Sequence, residues 1–150
     1  MIAYPDTSFL CALYREQDNS KQADALFGKL TGPLPVAALV LFEFRQSVRL
    51  RTFLHRQDAA KGYSKGQATR MLAALRDDIS AGRLQIVSLD WAKVISAAEQ
   101  LSAQHTSKEG HRGFDILHVA AARELEANDF LTFDSRQSSL AKAAGLRVRP

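Results

Sequence analysis

Apolar and polar positions along the chain switch repeatedly between two periods, and the switches delimit its elements. Residues 2–5, IAYP, form a short apolar run that reads as a strand. Helical spacing follows over 8–17, where Leu10, Leu13 and Tyr14 share a face, and again over 20–30, opened by Ser20 and ended before Gly32 and Pro33. Val36 to Val40 is apolar and contains a second strand, after which a long helix carries Glu43 through about His55. KGYSKGQ at 61–67 is a turn, and Ser64 caps a helix over 65–80 that stops near Gly82. LQIVSL, 84–89, alternates like a strand, and Asp90 caps a helix to about Gln104. HTSKEGHRG, 105–113, is polar and glycine-bearing, a loop. A helix over 114–127, a strand DFLTF at 129–133, a helix over 135–144, Gly145 as its C-cap and LRV as an edge strand complete the chain. Strands separated by helices predict an α/β fold: a single domain with a central, mainly parallel sheet flanked by helices on both faces.

Composition narrows this picture only a little. A chain of 150 residues fits one domain spanning 1–150, and 46% hydrophobic with 24% charged residues is ordinary for a soluble globular protein. The lone Cys11 excludes an internal disulfide and any multi-cysteine zinc site, and its apolar neighbours predict burial. There is no cationic leader with an apolar core, and no uncharged apolar run near the roughly 20 residues that span a bilayer, so a cytoplasmic location is expected. Trp91 and Phe114 are expected in the core.

Charge changes it more. Residues 45–70 hold Arg45, Arg49, Arg51, Arg56, Lys61, Lys65 and Arg70 against Asp58 alone, a net +6 in a chain of net +4. That is either a solvated helix face or a surface that tracks phosphates, since neutralising phosphates releases condensed counterions. Arg49, Arg51 and Arg56 are the candidate substrate-binding side chains.

The acids carry the chemistry. Asp6 ends the first strand in YPDTSF, Glu43 follows the second strand near the start of its helix, Asp115 opens the helix FDILHVAAARELEA, and Asp134 ends the strand FLTF. Each has a plain structural reading as a helix cap or first-turn acid. Apolar neighbours in VLFEF make a solvated role less fitting for Glu43. In an open α/β sheet, however, ligands bind at the carboxyl ends of strands, where all four acids can meet. Carboxylates converging there repel unless protonated or neutralised, and oxygen-only ligands suit a hard ion, Mg2+ or Mn2+.

YPDTSFL, VLFEF, FDILHVAAA and FLTFDSRQ, in this order and spacing and with the closing AGLRV, resemble the PIN domain over essentially the whole chain. The likeness is strongest to VapC-type toxins of VapBC toxin–antitoxin modules. The resemblance implies a Mg2+- or Mn2+-dependent endoribonuclease on a doubly wound parallel sheet. It aligns Asp6, Glu43, Asp115 and Asp134 with the acidic quartet, Ser8 with the small polar residue after the first acid, and Thr132 with the Thr or Ser two before the last. Asp6 and Asp115 would hold the metal, Glu43 would ligate it or shape the site, and Asp134 would position water or a second ion. Ser8 and Thr132 would orient carboxylates or water from behind. His118 falls where relatives carry an aliphatic residue or His, and helix packing is favoured there over general-acid work. His111 and Arg112 meet phosphate or belong to a solvated loop. The resemblance also implies a homodimer and a cognate antitoxin partner. Residues 50–83 are the least family-like and leave the RNA target open. Two alternatives stand beside this reading: a catalytically inactive nucleic-acid-binding or interaction module on the same fold, and a haloacid-dehalogenase-like phosphotransferase. The second wants another Asp two residues after the first, where this chain has Ser8.

Overall fold

Helices and short strands alternate along the chain in the computed structural model, which describes residues 2–150. Strand β1 (Ala3–Pro5) runs directly into α1 (Thr7–Tyr14), because Asp6 is extended and its side chain accepts the Phe9 amide, capping the helix. Helix α2 (Ser20–Phe27) then leads to β2 (Leu34–Ala37) and the long α3 (Ala38–Gln57). Helix α4 (Lys65–Ser80) opens on a full capping box, with Ser64 Oγ accepting from the Gln67 amide and Gln67 Oε1 accepting from the Ser64 amide. Next come β3 (Leu84–Val87) and α5 (Trp91–Leu101), the latter capped by Asp90. A π-helical turn (Ser102–Thr106) and the short α6 (Ser107–Glu109) precede α7 (Gly113–Glu124), β4 (Asp129–Leu131), α8 (Ser135–Ala143) and β5 (Arg147–Arg149).

Every strand pairing is parallel. β1 pairs with β4 and β4 with β5, so that β5 is an edge, while β2 pairs with β3 in a second ladder whose β2 lies against β1. The register sets Tyr4 beside Phe130, and their rings stack at 5.7 Å. Backbone bonds extend the pairing past the strand ends, with the Asp6 amide donating to Leu131 and the Thr132 amide to Arg149. The first and last of the sequence's acids are therefore delivered to the same edge. Ala120, Ala121 and Ala122, successive residues that point to different sides of α7, are all buried, so the helix is enclosed on more than one side, between neighbours that include α5 and α8.

Several expected boundaries move. Val40 belongs to α3, not to a strand, since β2 ends at Ala37 and the helix begins at Ala38. Glu43 consequently sits more than a turn inside α3. No side-chain cap marks that start, so nothing in the local sequence announces it. The stretch 105–113 is not one loop, because the π turn and α6 occupy its first half. Asp115 is the third residue of α7 and does not cap it; Arg112 holds that place without a side-chain bond. Trp91 and Phe114 are 40% and 45% exposed rather than buried: both lie in the first turn of a helix, before its packed face begins. Cys11 is buried, as its neighbours predict.

Beyond Val48 no residue of α3 is buried, and its outer half forms an arm with α4 and the turn between them. Gly62 makes that turn possible. It adopts φ +68°, and a Cβ there would stand 1.9 Å from the Arg51 carbonyl oxygen. Tyr63 then donates its amide to Arg51 and accepts at its hydroxyl from Arg15 Nε.

Candidate active site

Asp6 has no exposed surface at all. Its Oδ1 accepts from the Ser8 hydroxyl at 2.6 Å and the Phe9 amide at 2.9 Å, and its Oδ2 from the Thr132 hydroxyl at 2.5 Å. Both hydroxyls are themselves held: Ser8 Oγ accepts from the Phe133 amide and Thr132 Oγ1 from the Asp134 amide. Burial pushes the Asp6 carboxyl above its ordinary value, while these three donors and the nearby His118 pull it back. Asp6 thus caps α1, as the plain reading has it, and also lies at the centre of this hydrogen-bond network. Ser8 and Thr132 stand directly against it, where the sequence places them.

Glu43 belongs to a second network. Its Oε2 accepts from the Thr7 hydroxyl at 2.5 Å and is hydrogen-bonded to His118 Nε2. His118 Nδ1 in turn lies 3.0 Å from the Tyr4 hydroxyl. Burial raises the Glu43 carboxyl, yet the bonds from His118 and Thr7 outweigh it and leave the group below its ordinary value. Tyr4 and Thr7 escape a reading of the sequence. Thr7 looks like one of three interchangeable capping residues, and Tyr4 like one apolar residue in a strand. The one available signal is that a strand-buried phenol needs a partner for its hydroxyl.

Asp115 and Asp134 form a third group. Burial, then the charge of Asp134, raises the Asp115 carboxyl, with Arg112 and His118 opposing. Asp134 caps α8 through Oδ1, which accepts the amides of Arg136 and Gln137 at 2.8 and 3.0 Å. Asp134 is tied to Asp6 through Thr132, and His118 senses Asp6, Glu43 and Asp115 alike. All four acids therefore lie in one electrostatic neighbourhood.

The donor set fits a hard cation, being oxygen-only and of one charge, with two aspartates strained toward protonation by burial and like charge. It does not form a closed cage: among the described residues no three His, Cys, Asp or Glu side chains are grouped so as to hold an ion.

The remaining candidates lie outside this crevice. Arg49, Arg51 and Arg56 are all exposed on the outer half of α3. Arg49 and Arg56, seven residues apart, share a face with Arg45, whereas Arg51 is turned by about 200° and stacks its guanidinium 5.7 Å from the Tyr63 ring. His111 bonds Glu109 at 2.8 Å, and Arg112 acts on Asp115 through its charge.

The family model of the PIN domain matches residues 3–143. The chain belongs to the PIN domain family. Its fold is shared with VapC20 of Mycobacterium tuberculosis, a toxin that cleaves the sarcin-ricin loop, at 24% identity and a TM-score of 0.63, covering 99% of each chain. FitAcB of Neisseria gonorrhoeae aligns at 16% identity and a TM-score of 0.65, over 99% of this chain and 97% of that one. VapBC2 of Rickettsia felis, bound to a DNA fragment from its promoter, aligns at 18% identity and a TM-score of 0.66, over 99% and 98%. No match is found among curated proteins. These likenesses carry the PIN architecture, and among the described residues no helix is long and apolar enough to cross a membrane.

Proposed function

We propose that this PIN domain is a divalent-metal-dependent endoribonuclease acting as the toxin of a type II toxin–antitoxin pair. The observation that carries the reading is Asp6, a fully buried carboxylate held by three donors at the strand ends, in the same field as Asp115, Asp134 and Glu43. A charge so expensive to bury is retained where it has chemistry to do.

In this mechanism Asp6 and Asp115 would hold Mg2+ or Mn2+. The ion, when bound, lowers the pKa of water and offsets charge developing on the phosphate. The protein's own residues do the rest. Ser8 and Thr132 lock the Asp6 carboxylate in one orientation, and Thr132 couples it to the backbone of Asp134. Asp134 keeps Oδ2 clear of the capping bonds to position water. Glu43 shapes the crevice from the opposite network. Arg49 and Arg56 offer cations, without ion pairs among the described residues, to the RNA backbone. A phosphotransferase with Asp6 as nucleophile is disfavoured, because that chemistry wants a second Asp two residues on, where this chain has Ser8.

The antitoxin part of the reading draws on the VapBC and FitAcB structures that share the fold. Exposed Phe42, Leu50 and Phe53 on α3, each more than half exposed, support a protein partner for that helix, either an antitoxin or a second copy in a cytoplasmic homodimer.

The test is cleavage of a panel of structured and total RNAs with Mn2+, Mg2+ or chelator. Cleavage is expected only with metal, and Asp6→Asn or Asp115→Asn should lose it while remaining folded. Full activity in chelator, or in both variants, overturns the reading. An antitoxin encoded beside the chain should co-purify on co-expression and silence the activity, and induction of the chain alone should arrest growth.

A further inference from the structure

We propose that His118 is a positioning residue: its Nε2–H holds one oxygen of Glu43, and the Tyr4 hydroxyl engages the other ring nitrogen. The inference rests on the metal-dependent nuclease reading of the crevice, and concerns how that crevice is held before anything binds.

Hydrogen-bond bookkeeping decides the tautomer. A neutral imidazole has one N–H and one lone pair. The Tyr4 phenol is fully buried, and its hydroxyl meets His118 Nδ1. Glu43 Oε2, a carboxylate oxygen, only accepts, so Nε2 carries the proton, and Nδ1 of the neutral ring then offers its lone pair to the Tyr4 hydroxyl 3.0 Å away. Thr7 Oγ1 is a weaker neighbour of Nε2 at 3.3 Å. Thr7 already donates to the same Oε2. One carboxylate oxygen thus takes two donors, and Oε1 has no protein donor among the described residues.

The consequence is positional. His118 is 1% exposed, so water has little access to compete for the bond. A carboxylate pinned at one oxygen by two donors cannot swing, and it presents Oε1 alone to an ion or an ordered water. The pin comes from α7, one turn beyond Asp115, while Tyr4 and Thr7 flank Asp6. One chain of side chains therefore links the elements that carry three of the four acids. Helix packing, the favoured sequence reading of His118, accounts for its burial but not for polar partners at both ring nitrogens.

Nitrogen-15 NMR of the histidine rings in the metal-free protein reads the tautomer directly. The neutral Nε2–H form is expected for His118, and any other ring state overturns the assignment. His118→Leu keeps the volume and removes the donor; His118→Gln places an amide N–H near the position of Nε2–H. Mn2+ affinity, followed by calorimetry, should weaken by about 10–100-fold in His118→Leu. It should return to within about threefold of wild type in His118→Gln. With RNA, kcat should fall in His118→Leu at unchanged KM. Equal loss in both variants, or loss in neither, overturns the proposal. Should either variant fail to fold, Tyr4→Phe replaces it: the Nδ1 resonance should shift on losing its partner and Mn2+ affinity should drop, and an unchanged ring spectrum overturns the proposal. A wild-type chain that neither binds Mn2+ nor cleaves RNA overturns the nuclease reading instead, while the ring spectrum still decides how His118 holds Glu43.

Discussion

The acid crevice at the ends of β1 and β4 and the basic arm made by the outer half of α3, the following turn and α4 differ in more than the sign of their charge. In the crevice polar groups answer one another: Asp6, Ser8, Thr132 and the Asp134 amide form one network, and Tyr4, His118, Glu43 and Thr7 another. On the arm, Arg49 and Arg56 are exposed cations without ion pairs among the described residues, beside half-exposed Leu50 and Phe53. Positions in the crevice are over-determined by short bonds in a medium of low polarity, so one missing atom unsettles several groups. Charges on the arm act through solvent, are screened within about 8–10 Å at ordinary salt, and add up. The crevice is built for geometry and the arm for field.

Thr132→Val attacks the geometry most sharply. It removes the hydroxyl that donates to Asp6 Oδ2 and accepts from the Asp134 amide, at nearly constant volume. Metal-dependent cleavage should fall by about 10–100-fold in single-turnover assays, and Thr132→Ser should recover most of it. RNA affinity and its salt dependence should not move.

The arm is tested by the converse experiment. Replacing Arg49 and Arg56 together by Gln should flatten the dependence of log affinity on log salt by about 1.4, roughly 0.7 per phosphate contact on single-stranded RNA, with single-turnover chemistry unchanged at saturation. Arg51→Gln should lower the slope less and the melting temperature more, because its guanidinium packs on Tyr63. An equal slope change from Arg51 would erase the distinction between the two faces of α3.

The smallest effect separates two acids inside the crevice. The folded protein raises the Asp115 carboxyl, so it binds that proton more tightly than the unfolded chain. Below the ordinary aspartate range, near about 3.9, ionisation costs the fold nothing; as pH rises through the raised value, wild type loses stability relative to Asp115→Asn. The metal-free variant should therefore melt higher at pH 7, by on the order of a degree for a group this exposed, with the gap closing in acid. Glu43 has the opposite sign. Its carboxyl is lowered, so its contribution is present above the ordinary glutamate range and lost as pH falls through the folded value. Glu43→Gln should melt lower than wild type at pH 7. Melting curves of both variants against pH provide the check.

The amino-acid sequence alone determined the architecture and the roster of acids. Periodicity separates strands from helices, and cap residues mark the starts that carry them, as at Ser64, Asp90 and Asp134. Boundaries without a local signal stayed hidden: α3 starts on Ala38 with no cap, and α7 follows Arg112 without a side-chain bond. The spacing of the four acids placed them at element junctions, although Glu43 lies more than a turn inside α3, and could not say what each acid contacts. That was decided by the tertiary structure, which brings Tyr4, Glu43 and His118 together across as many as 114 residues of chain. It also leaves Trp91 and Phe114 at the surface and turns Arg51 away from Arg49. Local pattern reports how a residue sits on its own helix or strand, because that depends on backbone geometry repeated every few residues. Which oxygen meets which proton depends on the docking of elements far apart in the chain, and no local period encodes it.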